Sequence, residues 1–257
     1  MDIIALPAFQ DNYIWLLRQG QHAAVVDPGD ADPVLAYLAE QQLQLCAILL
    51  THHHRDHVGG VETLLARHPV PVYGPARESI AGLDHPLTEG DVIRLPALDL
   101  ELVILDIPAH TAGHIAYVSQ AAENPLLFCG DTLFSAGCGR LFEGTAKQLA
   151  DALAKLAALD DATRVFCTHE YTLANLAFAA AAEPDNPARD LYARRCQQLR
   201  AAGEPTLPST IALEKAINPF LRADELQIRQ RLASELGITA EDSVSTLAAL
   251  RAWKDRF

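Results

Sequence analysis

Several features that would assign a chain to a special class are missing from this sequence of 257 residues. No apolar run approaches the roughly 18 residues needed to cross a membrane, so no membrane partner is expected. Residues 1–7 lack the basic segment and the sustained apolar core of a secretory signal. The five cysteines include no Cys-x-x-Cys pair, which argues against a disulfide framework and a structural zinc site. These absences favour a reducing, cytoplasmic compartment.

Positive charge is also scarce. The chain has 20 Lys and Arg residues against 33 Asp and Glu residues, which gives a formal net charge of −13. Such a surface repels polyanions, so a broad nucleic-acid-binding face is not expected, although a local basic groove is not excluded. Hydrophobic residues make up 50% of the chain, as in ordinary globular proteins, and the length allows one or two domains.

The first two-thirds of the chain alternates between strand-like and helix-like segments. Short apolar or β-branched runs separated by turn signals predict strands at 12–18, 23–26, 45–51, 70–73, 91–95, 98–107, 114–119, 126–129 and 164–168. Helices are predicted at 33–42, 60–67 and 146–158, the first with Asp32 as its N-cap and Pro33 in its first turn. This order predicts an α+β fold in which helices cover sheets, not a regular doubly wound arrangement.

The pattern of predicted secondary structure changes after about residue 170, beyond which no strands are predicted. Helices are predicted at 172–182, 186–202, 222–236 and 243–253, separated by proline-containing breaks. We therefore expect a first domain at residues 1–170 and an all-helical domain at residues 171–257, which is large enough to count as a subdomain.

The segment from His52 to His57 has the sequence His-His-His-Arg-Asp-His, which places four potential metal ligands within six positions. It follows the apolar run 45–50, which is typical of a buried strand, so the cluster lies where a strand ends and a loop begins. Imidazole and carboxylate together suit a borderline metal such as zinc. A purification tag lies at a terminus and does not end in Asp-His, so we predict a metal-binding segment.

Three more candidate ligands, His110, Asp131 and His169, each lie within three residues of the end of a predicted strand. A single His or Asp after a strand is more often a turn former or a helix cap. Four such strand ends in one chain are harder to explain by coincidence. Because strand ends on one edge of a sheet converge, these side chains could share one site.

The ligand pattern resembles the metallo-β-lactamase superfamily, whose signature is His-x-His-x-Asp-His with a later His, an Asp and a last His. The resemblance implies an αββα sandwich with a dinuclear metal site. The implied ligands are His52, His54 and His110 for one metal, Asp56, His57 and His169 for the second, and Asp131 as a bridge between them. Zinc is the expected metal, with iron or manganese as alternatives.

The remaining histidines are assigned other roles. His53 alternates away from its two neighbours in the motif, so we expect it on the far side of the segment. His114 opens a strand and is expected to be a core residue or a residue that supports the ligands. Asp27 is expected to be structural or supporting. His22, His68 and His85 are expected at the surface.

Two metal ions about 3.5–4 Å apart can share one hydroxide and lower its pKa towards about 7, which supplies a nucleophile without a serine or a cysteine. The expected chemistry is therefore hydrolysis of an activated acyl or phosphoryl bond. Asp131, Asp56 and His54 form the expected catalytic set. Imidazole at His54 favours Lewis-acid chemistry over oxygen chemistry, because related oxygen-reducing di-iron members carry a carboxylate there.

Four segments outside the metal motif narrow the resemblance to glyoxalase II, the hydroxyacylglutathione hydrolase family. They are residues 131–134, 137–145 with the sequence Gly-Cys-Gly-Arg-Leu-Phe-Glu-Gly-Thr, 168–172 with Thr-His-Glu-Tyr-Thr, and the terminal 251–257. The similarity covers the whole chain, including the helical tail that most of the superfamily lacks. It implies hydrolysis of S-(2-hydroxyacyl)glutathione, typically S-lactoylglutathione, to glutathione and a 2-hydroxy acid, in methylglyoxal detoxification.

The resemblance also implies a glutathione pocket, formed by Arg140, Phe142, Tyr171, Arg251 and Lys254. Arg140 replaces the more common lysine and still suits a carboxylate. Phe142 replaces the more common tyrosine and loses one hydrogen bond worth about 0.5–1.5 kcal/mol. The positions of Arg251 and Lys254, three apart, place them on one helix face. Basic residues in a last helical turn also complement the helix dipole, so the spacing alone leaves both interpretations open.

These patterns predict a monomeric, two-domain thioester hydrolase with a small-molecule substrate. Three alternatives are weighed against it. A β-lactamase is usually exported and lacks the helical tail. A nuclease of this superfamily needs a basic surface, and a non-catalytic metal-binding scaffold does not need the full ligand set.

Overall fold

The computed structural model describes residues 1–119 and 123–257, which belong to two compact units. The first unit comprises Met1–Asp106 and Thr111–Gly130, and the second comprises Ile107–His110 and Asp131–Phe257. The domain boundary expected at residue 170 stays a prediction.

The first unit is built on two groups of strands. One is a six-stranded sheet in the order β1-β2-β3-β4-β5-β6, antiparallel from β1 to β3 and parallel from β3 to β6. Its strands are Asp2–Ala8, Asn12–Gln19, His22–Val26, Gln44–Leu49, Val72–Pro75 and His85–Leu87. The other is an antiparallel meander of β7 (Val92–Leu95), β8 (Leu100–Asp106), β9 (Ile115–Ser119) and β10 (Leu126–Gly130).

Helices cover the six-stranded sheet, as the sequence predicts. These are α1 (Asp32–Gln41) and the short α2 (Arg55–Val58) and α3 (Val61–Leu65). Val34 and Leu38 of α1 and Leu64 of α3 pack with Leu16 and Ile48 of the sheet in one buried cluster. Strands such as β3 and β4 therefore have side chains buried on both faces, which explains their nearly continuous apolar sequence.

Tyr117 of β9 ties the meander to the six-stranded sheet. Its hydroxyl lies 2.8 Å from the carbonyl oxygen of Leu50 and 3.1 Å from that of Tyr73. The side chain is fully buried, and burial raises the pKa of this phenol well above its ordinary value. The hydroxyl therefore stays protonated and acts as a donor between the two layers of strands.

The second unit is rich in helices. They are α4 (Ala146–Ala157), α5 (Thr172–Ala182), α6 (Pro187–Ala201), α7 (Ile211–Ile217), α8 (Leu226–Leu236) and α9 (Ser243–Lys254). Its strands are short: β11 (Leu133–Phe134) pairs with β12 (Gly137–Cys138), and β13 (Arg164–Cys167) pairs with β14 (Ser209–Thr210). Within residues 1–119 and 123–257, no helix combines the length and the hydropathy required to span a bilayer.

The helix starts in the second unit follow from local sequence. Thr145 accepts a hydrogen bond from the backbone N–H of Gln148 and completes a capping box at the start of α4. Asn186 caps α6, and Pro187 occupies its first turn, where the missing N–H costs nothing. Asp242 forms a capping box with Ser245 at the start of α9.

The secondary structure departs from the sequence predictions in several places. Strands β1, β6, β11 and β12 and helices α2 and α7 were not predicted. Helix α1 begins at Asp32 with Ala31 as its N-cap, so the N-cap predicted at Asp32 is wrong, and the Asp30 carboxylate accepts the Asp32 N–H instead. The predicted strand 98–107 begins later, at Leu100, because Pro96–Leu98 forms a 3-10 turn. The helix predicted from 222 begins at Leu226. The helical tail also contains the two-residue strand β14.

A buried carboxyl group holds the β11–β12 hairpin. The Glu214 side chain on α7 is fully buried, and its Oε2 accepts hydrogen bonds from the backbone N–H of Ala136 at 2.8 Å and from Asn218 Nδ2 at 3.0 Å. The Asn218 amide also lies within hydrogen-bond distance of the carbonyls of Phe134 and Gly137. Burial raises the pKa of Glu214 from 4.5 to about 7, although its hydrogen bonds oppose the shift.

This raised pKa predicts a pH dependence of stability. The folded state binds a proton on Glu214 more tightly than the unfolded state does. The resulting stabilisation of the folded state is complete below about pH 4.5 and is lost as the pH rises through about 7. The variant Glu214→Gln has no ionisable group at this position. Between pH 5 and 8, we expect the free energy of unfolding of the wild type to fall relative to that of the variant by about 3 kcal/mol. Urea unfolding of both proteins measures this difference, with the exposed Glu62→Gln as a control. Parallel pH curves for the wild type and Glu214→Gln would contradict the expectation.

Candidate functional site

The first unit brings together four of the predicted ligands just after β4. His52 and His57 are fully buried, and their ring centroids lie 4.0 Å apart. The ligand atoms of His52 and His54 lie within 4.8 Å of each other, as do those of Asp56 and His57. The Asp56 Oδ2 atom is 3.5 Å from His57 Nε2. The turn into the short helix α2, for which His54 is the N-cap residue, allows neighbouring residues in the sequence to present their ligand atoms together.

Asp27 fixes the orientation of His57. It follows β3 in a left-handed backbone conformation, with φ of 51°, which is uncommon for a residue with a side chain. Its Oδ2 atom lies 3.0 Å from His57 Nδ1. A carboxylate only accepts hydrogen bonds, so Nδ1 carries the proton and Nε2 carries the lone pair that a metal requires. Asp27 was expected to be structural or supporting, and it holds the predicted ligand His57 in the tautomer that can bind metal.

The same carboxylate acts on His52 through Thr51. The Thr51 hydroxyl donates to Asp27 Oδ2 at 2.7 Å, and the Thr51 N–H donates to Asp27 Oδ1 at 2.8 Å. Because the hydroxyl proton is directed at Asp27, the Thr51 oxygen accepts from His52 Nδ1, which lies 3.0 Å away. One buried carboxylate therefore sets the tautomers of two predicted ligands.

Asn12 orients Asp56, the predicted carboxylate ligand of this segment. It opens β2, is 6% exposed, and its Nδ2 donates to Asp56 Oδ2 at 3.1 Å. The same amide lies 3.4 Å from the Asp56 carbonyl oxygen. Neither Asn12 nor Thr51 was identified from the sequence. The signal that could have pointed to Asn12 is a polar residue at the start of a run that is otherwise apolar.

His114 is a buried residue that packs against the ligand segment. Its ring stacks on His52 with centroids 4.6 Å apart, and its Nδ1 donates to the carbonyl of Ile115 at 3.1 Å. Gly130, with φ of 47°, leaves room for this packing, since a Cβ there would lie 2.3 Å from Thr51 Oγ1 and 2.9 Å from the His114 ring. A glycine is therefore required immediately before Asp131.

The other histidines lie outside these ligand groups. His53 Nδ1 lies 3.0 Å from Glu78 Oε2, and His85 stacks on Tyr73 with centroids 4.6 Å apart. His85 is exposed, as expected, whereas His22 and His68 are only partly exposed.

The second unit holds the remaining three predicted ligands. His110, Asp131 and His169 are 5%, 7% and 5% exposed. The Nε2 atoms of His110 and His169 lie 3.5 Å and 3.4 Å from the same oxygen, Asp131 Oδ2. One oxygen of the Asp131 carboxylate therefore lies close to both rings.

Protein contacts also hold these rings. His110 Nδ1 donates to the carbonyl of Arg140 at 2.9 Å, so its lone pair is on Nε2. The His169 ring is parallel to the ring of Tyr171, with centroids 4.7 Å apart and an angle of 1°. Phe134 packs edge-on against both His169 and Tyr171.

The donor set fits divalent metal ions. It consists of imidazole nitrogens and carboxylate oxygens, which are the ligands of zinc and of related borderline metals. In His52, His57 and His110, the Nδ1 proton is directed to a protein acceptor, so Nε2 is the nitrogen available for coordination. The fit therefore rests on both the chemistry and the protonation of the ligands.

A cavity of about 480 Å³ opens in the second unit beside His110 and Asp131. Its size is in the range of small-molecule sites. Its walls combine aromatic, amide and cationic side chains: Phe134, Cys138, Arg140, Phe142, Tyr171, Ala174, Asn175, Arg251 and Lys254. All five residues predicted to bind substrate therefore line one cavity.

Arg140, Phe142 and Tyr171 are the accessible members of this set. Arg140 is 66% exposed, and its Nε lies 3.8 Å from Asp255 Oδ1. Phe142 is 62% exposed and packs edge-on against His110 with centroids 5.1 Å apart. Tyr171 is 37% exposed.

Arg251 and Lys254 are more enclosed. Arg251 is 5% exposed, and its guanidinium donates to the Cys138 carbonyl at 2.8 Å and to Asp255 Oδ1 at 3.0 Å. Lys254 Nζ donates to the carbonyl of Ala174 at 3.3 Å. Burial lowers the pKa of Lys254 from 10.5 to about 8, and the positive charge of Arg251 adds to the effect.

Two family models match the chain. The model described as metallo-beta-lactamase superfamily matches residues 9–169, and the model described as hydroxyacylglutathione hydrolase C-terminus matches residues 170–257. A hydroxyacylglutathione hydrolase from Alkalilimnicola ehrlichii is 56% identical over 257 residues, covering 99% of each chain. One from Nitrosomonas eutropha is 51% identical, covering 100% of this chain and 99% of its own.

Solved structures give the same fold. The crystal structure of ETHE1 from Myxococcus xanthus has a TM-score of 0.67 at 24% identity and covers 99% of this chain and 100% of its own. These matches confirm the expected αββα sandwich with a C-terminal helical domain. The chain belongs to the hydroxyacylglutathione hydrolase family of the metallo-β-lactamase superfamily.

Proposed function

We propose that this protein hydrolyses S-(2-hydroxyacyl)glutathione, such as S-lactoylglutathione, to glutathione and a 2-hydroxy acid. The observation that carries the proposal is the cavity in the second unit. It is lined by the predicted metal ligands His110 and Asp131 and also by three cationic side chains, Arg140, Arg251 and Lys254. A glutathione thioester needs both features, because it is a small anion with a carbonyl to be attacked. The names of the full-length relatives support the same reaction.

We also propose that the seven predicted ligands hold two divalent metal ions and that these ions are zinc. His52, His54 and His110 would hold one ion, Asp56, His57 and His169 the other, and Asp131 would bridge them. When bound, the metals supply an activated water and polarise the thioester carbonyl. The water oxygen forms a bond to the thioester carbonyl carbon, and the carbon–sulfur bond breaks. The leaving thiolate takes up a proton released by the water and becomes glutathione, and the acyl group becomes the 2-hydroxy acid. No serine or cysteine nucleophile is needed.

The protein's own part is to hold the ligands ready. Asp27 keeps the lone pairs of His52 and His57 on Nε2, and Asn12 holds Asp56 by one oxygen. Asp131 lies between His110 and His169 and would hold both ions with one carboxylate. Asp131, Asp56 and His54 remain the proposed catalytic set.

The glutathione part of the substrate would lie among the cavity's cations and aromatic rings. Arg140 is exposed, and its planar guanidinium suits a glutathione carboxylate. Lys254 provides a second positive charge. Phe142 and Tyr171 supply apolar walls beside His110 and His169. Phe142 has no hydroxyl, so this wall contributes packing but no hydrogen bond.

Arg251 has a different proposed role. Its guanidinium binds the Cys138 carbonyl and Asp255, so it braces strand β12 and adds positive charge to the cavity. Residues 171–257 form the proposed substrate-binding domain. A cytoplasmic location, a monomeric state and the absence of nucleic-acid partners stay predictions.

Removing single cavity cations tests the substrate assignment. In Arg140→Gln and Lys254→Gln, we expect the KM for S-lactoylglutathione to rise about tenfold while kcat changes little, because each variant loses one charge-assisted contact to the bound anion. Steady-state hydrolysis of S-lactoylglutathione measures both constants.

Lys147→Gln is the matched control, because Lys147 pairs with Asp151 on the surface of α4. Its constants are expected to equal those of the wild type. An unchanged KM in both cavity variants would contradict the proposed binding mode. A wild type that cleaves RNA or a β-lactam but no glutathione thioester would replace the proposed reaction by one of its alternatives.

The lowered pKa of Lys254 predicts a pH dependence of substrate binding. Its ammonium is mostly charged at pH 7 and becomes neutral as the pH rises through about 8. In the wild type, we therefore expect the KM to rise above pH 8 by up to about tenfold at pH 9, after correction for spontaneous thioester hydrolysis. The rise should disappear in Lys254→Gln and persist in Arg140→Gln, whose lysine is intact. If the KM of Lys254→Gln still rises above pH 8, the pH dependence belongs to another group.

A further inference from the structure

We propose that Glu78 is a positioning residue for one of the two metals, acting at once on two loops that carry or directly follow ligands of that metal. One loop is residues 52–54, which carries two ligands of that metal. The other is the segment from Thr111 to Gly113, which directly follows its third ligand, His110. The inference rests on the proposed metal site and adds to it a residue that has no place in the ligand pattern.

The first contact of Glu78 explains the middle histidine of the motif. Glu78 Oε2 lies 3.0 Å from His53 Nδ1, and the Glu78 side chain is 3% exposed while that of His53 is 35% exposed. A carboxylate only accepts, so His53 donates from Nδ1. His53 is therefore anchored by its side chain at the position between His52 and His54. Anchoring the middle residue restricts the backbone that sets the directions of both ligands.

The second contact is made by the other oxygen of the same carboxylate. Glu78 Oε1 accepts from the Thr111 hydroxyl and from the Gly113 N–H, the latter at 3.2 Å. Thr111 is fully buried. Because Thr111 directly follows His110, this hydrogen bond fixes the position of the backbone next to that predicted ligand. One buried carboxylate thus satisfies donors from both loops.

The close approach depends on a glycine. A Cβ at Gly113 would lie 2.5 Å from Glu78 Cγ and 3.0 Å from Arg77 Cβ. A larger residue would push the carboxylate away from the Thr111 hydroxyl and the Gly113 N–H. The chain therefore provides both the acceptor and the space that the acceptor needs.

A buried carboxylate with three donors could also act only on the stability of the fold. The two roles differ in which property changes when it is removed. If Glu78 is a positioning residue, its removal weakens the binding of the metal held by His52, His54 and His110 and leaves the binding of the other metal unchanged. A purely structural role lowers the stability of the metal-free protein without a preference for either metal.

The test compares Glu78→Gln with a matched control, Glu183→Gln. Glu183 is also 3% exposed and is paired with Arg222 in the second unit, at 2.7 Å. Each purified zinc-loaded protein is titrated with a chelator while bound zinc per chain is measured, and the melting temperature of the metal-free form is recorded. We expect Glu78→Gln to release one of its two zinc ions at about tenfold lower chelator activity and to hold the other as the wild type does.

Two further variants keep the test informative if Glu78→Gln folds poorly. His53→Phe removes one contact at a partly exposed position, and Gly113→Ala displaces the carboxylate. Both are expected to weaken the same zinc ion. Glu183→Gln is expected to change only the melting temperature.

Three outcomes would overturn the inference. In the first, Glu78→Gln holds both zinc ions as tightly as the wild type does. In the second, Glu78→Gln weakens the binding of both ions equally and also lowers the melting temperature of the metal-free form. In the third, the wild type itself binds no zinc, iron or manganese, which would overturn the proposed metal site as well and is therefore distinguishable from the first two.

Discussion

The direction of the imidazole lone pairs decides whether the predicted histidine ligands can bind metal. A histidine binds a metal only through a deprotonated nitrogen, and each ring has two candidates. Here a carboxylate, a hydroxyl and a backbone carbonyl take the Nδ1 protons of His57, His52 and His110. The choice of nitrogen is thus made by the fold, through hydrogen bonds that are mostly buried and therefore strong. Asp27 makes two of the three choices with one side chain.

The charge lining the cavity is opposite in sign to the net charge of the whole protein. The chain carries a net charge of −13, which on average repels an anionic substrate. Arg140, Arg251 and Lys254 reverse this locally in the second unit. Two of the three are enclosed: the Arg251 guanidinium donates a hydrogen bond to the Cys138 carbonyl, and the pKa of Lys254 is lowered to about 8. The accessible Arg140 is consequently the cation best placed to meet a substrate carboxylate.

Much of the fold could be predicted from the sequence, and so could the candidate ligands of the His52–His57 motif, because both follow from local patterns. Apolar runs marked the strands, and the ligands of the His52–His57 motif lie within six positions. The supporting residues could not be predicted, because their roles arise from contacts between distant parts of the chain. Asn12 is 44 residues from Asp56, and Glu78 is 33 residues from Thr111. The N-cap predicted at Asp32 was wrong because the carboxylate of the neighbouring Asp30 accepts the Asp32 N–H.

Metal reconstitution shows whether catalysis requires two metals held by the predicted ligands. Metal-free protein is titrated with zinc while S-lactoylglutathione hydrolysis and bound zinc are measured. We expect no turnover without metal, a maximum at two zinc ions per chain, and a kcat at least about 100-fold lower in Asp131→Asn, which loses the proposed bridging carboxylate. Full turnover by the metal-free protein, or an Asp131→Asn variant as active as the wild type, would contradict this requirement.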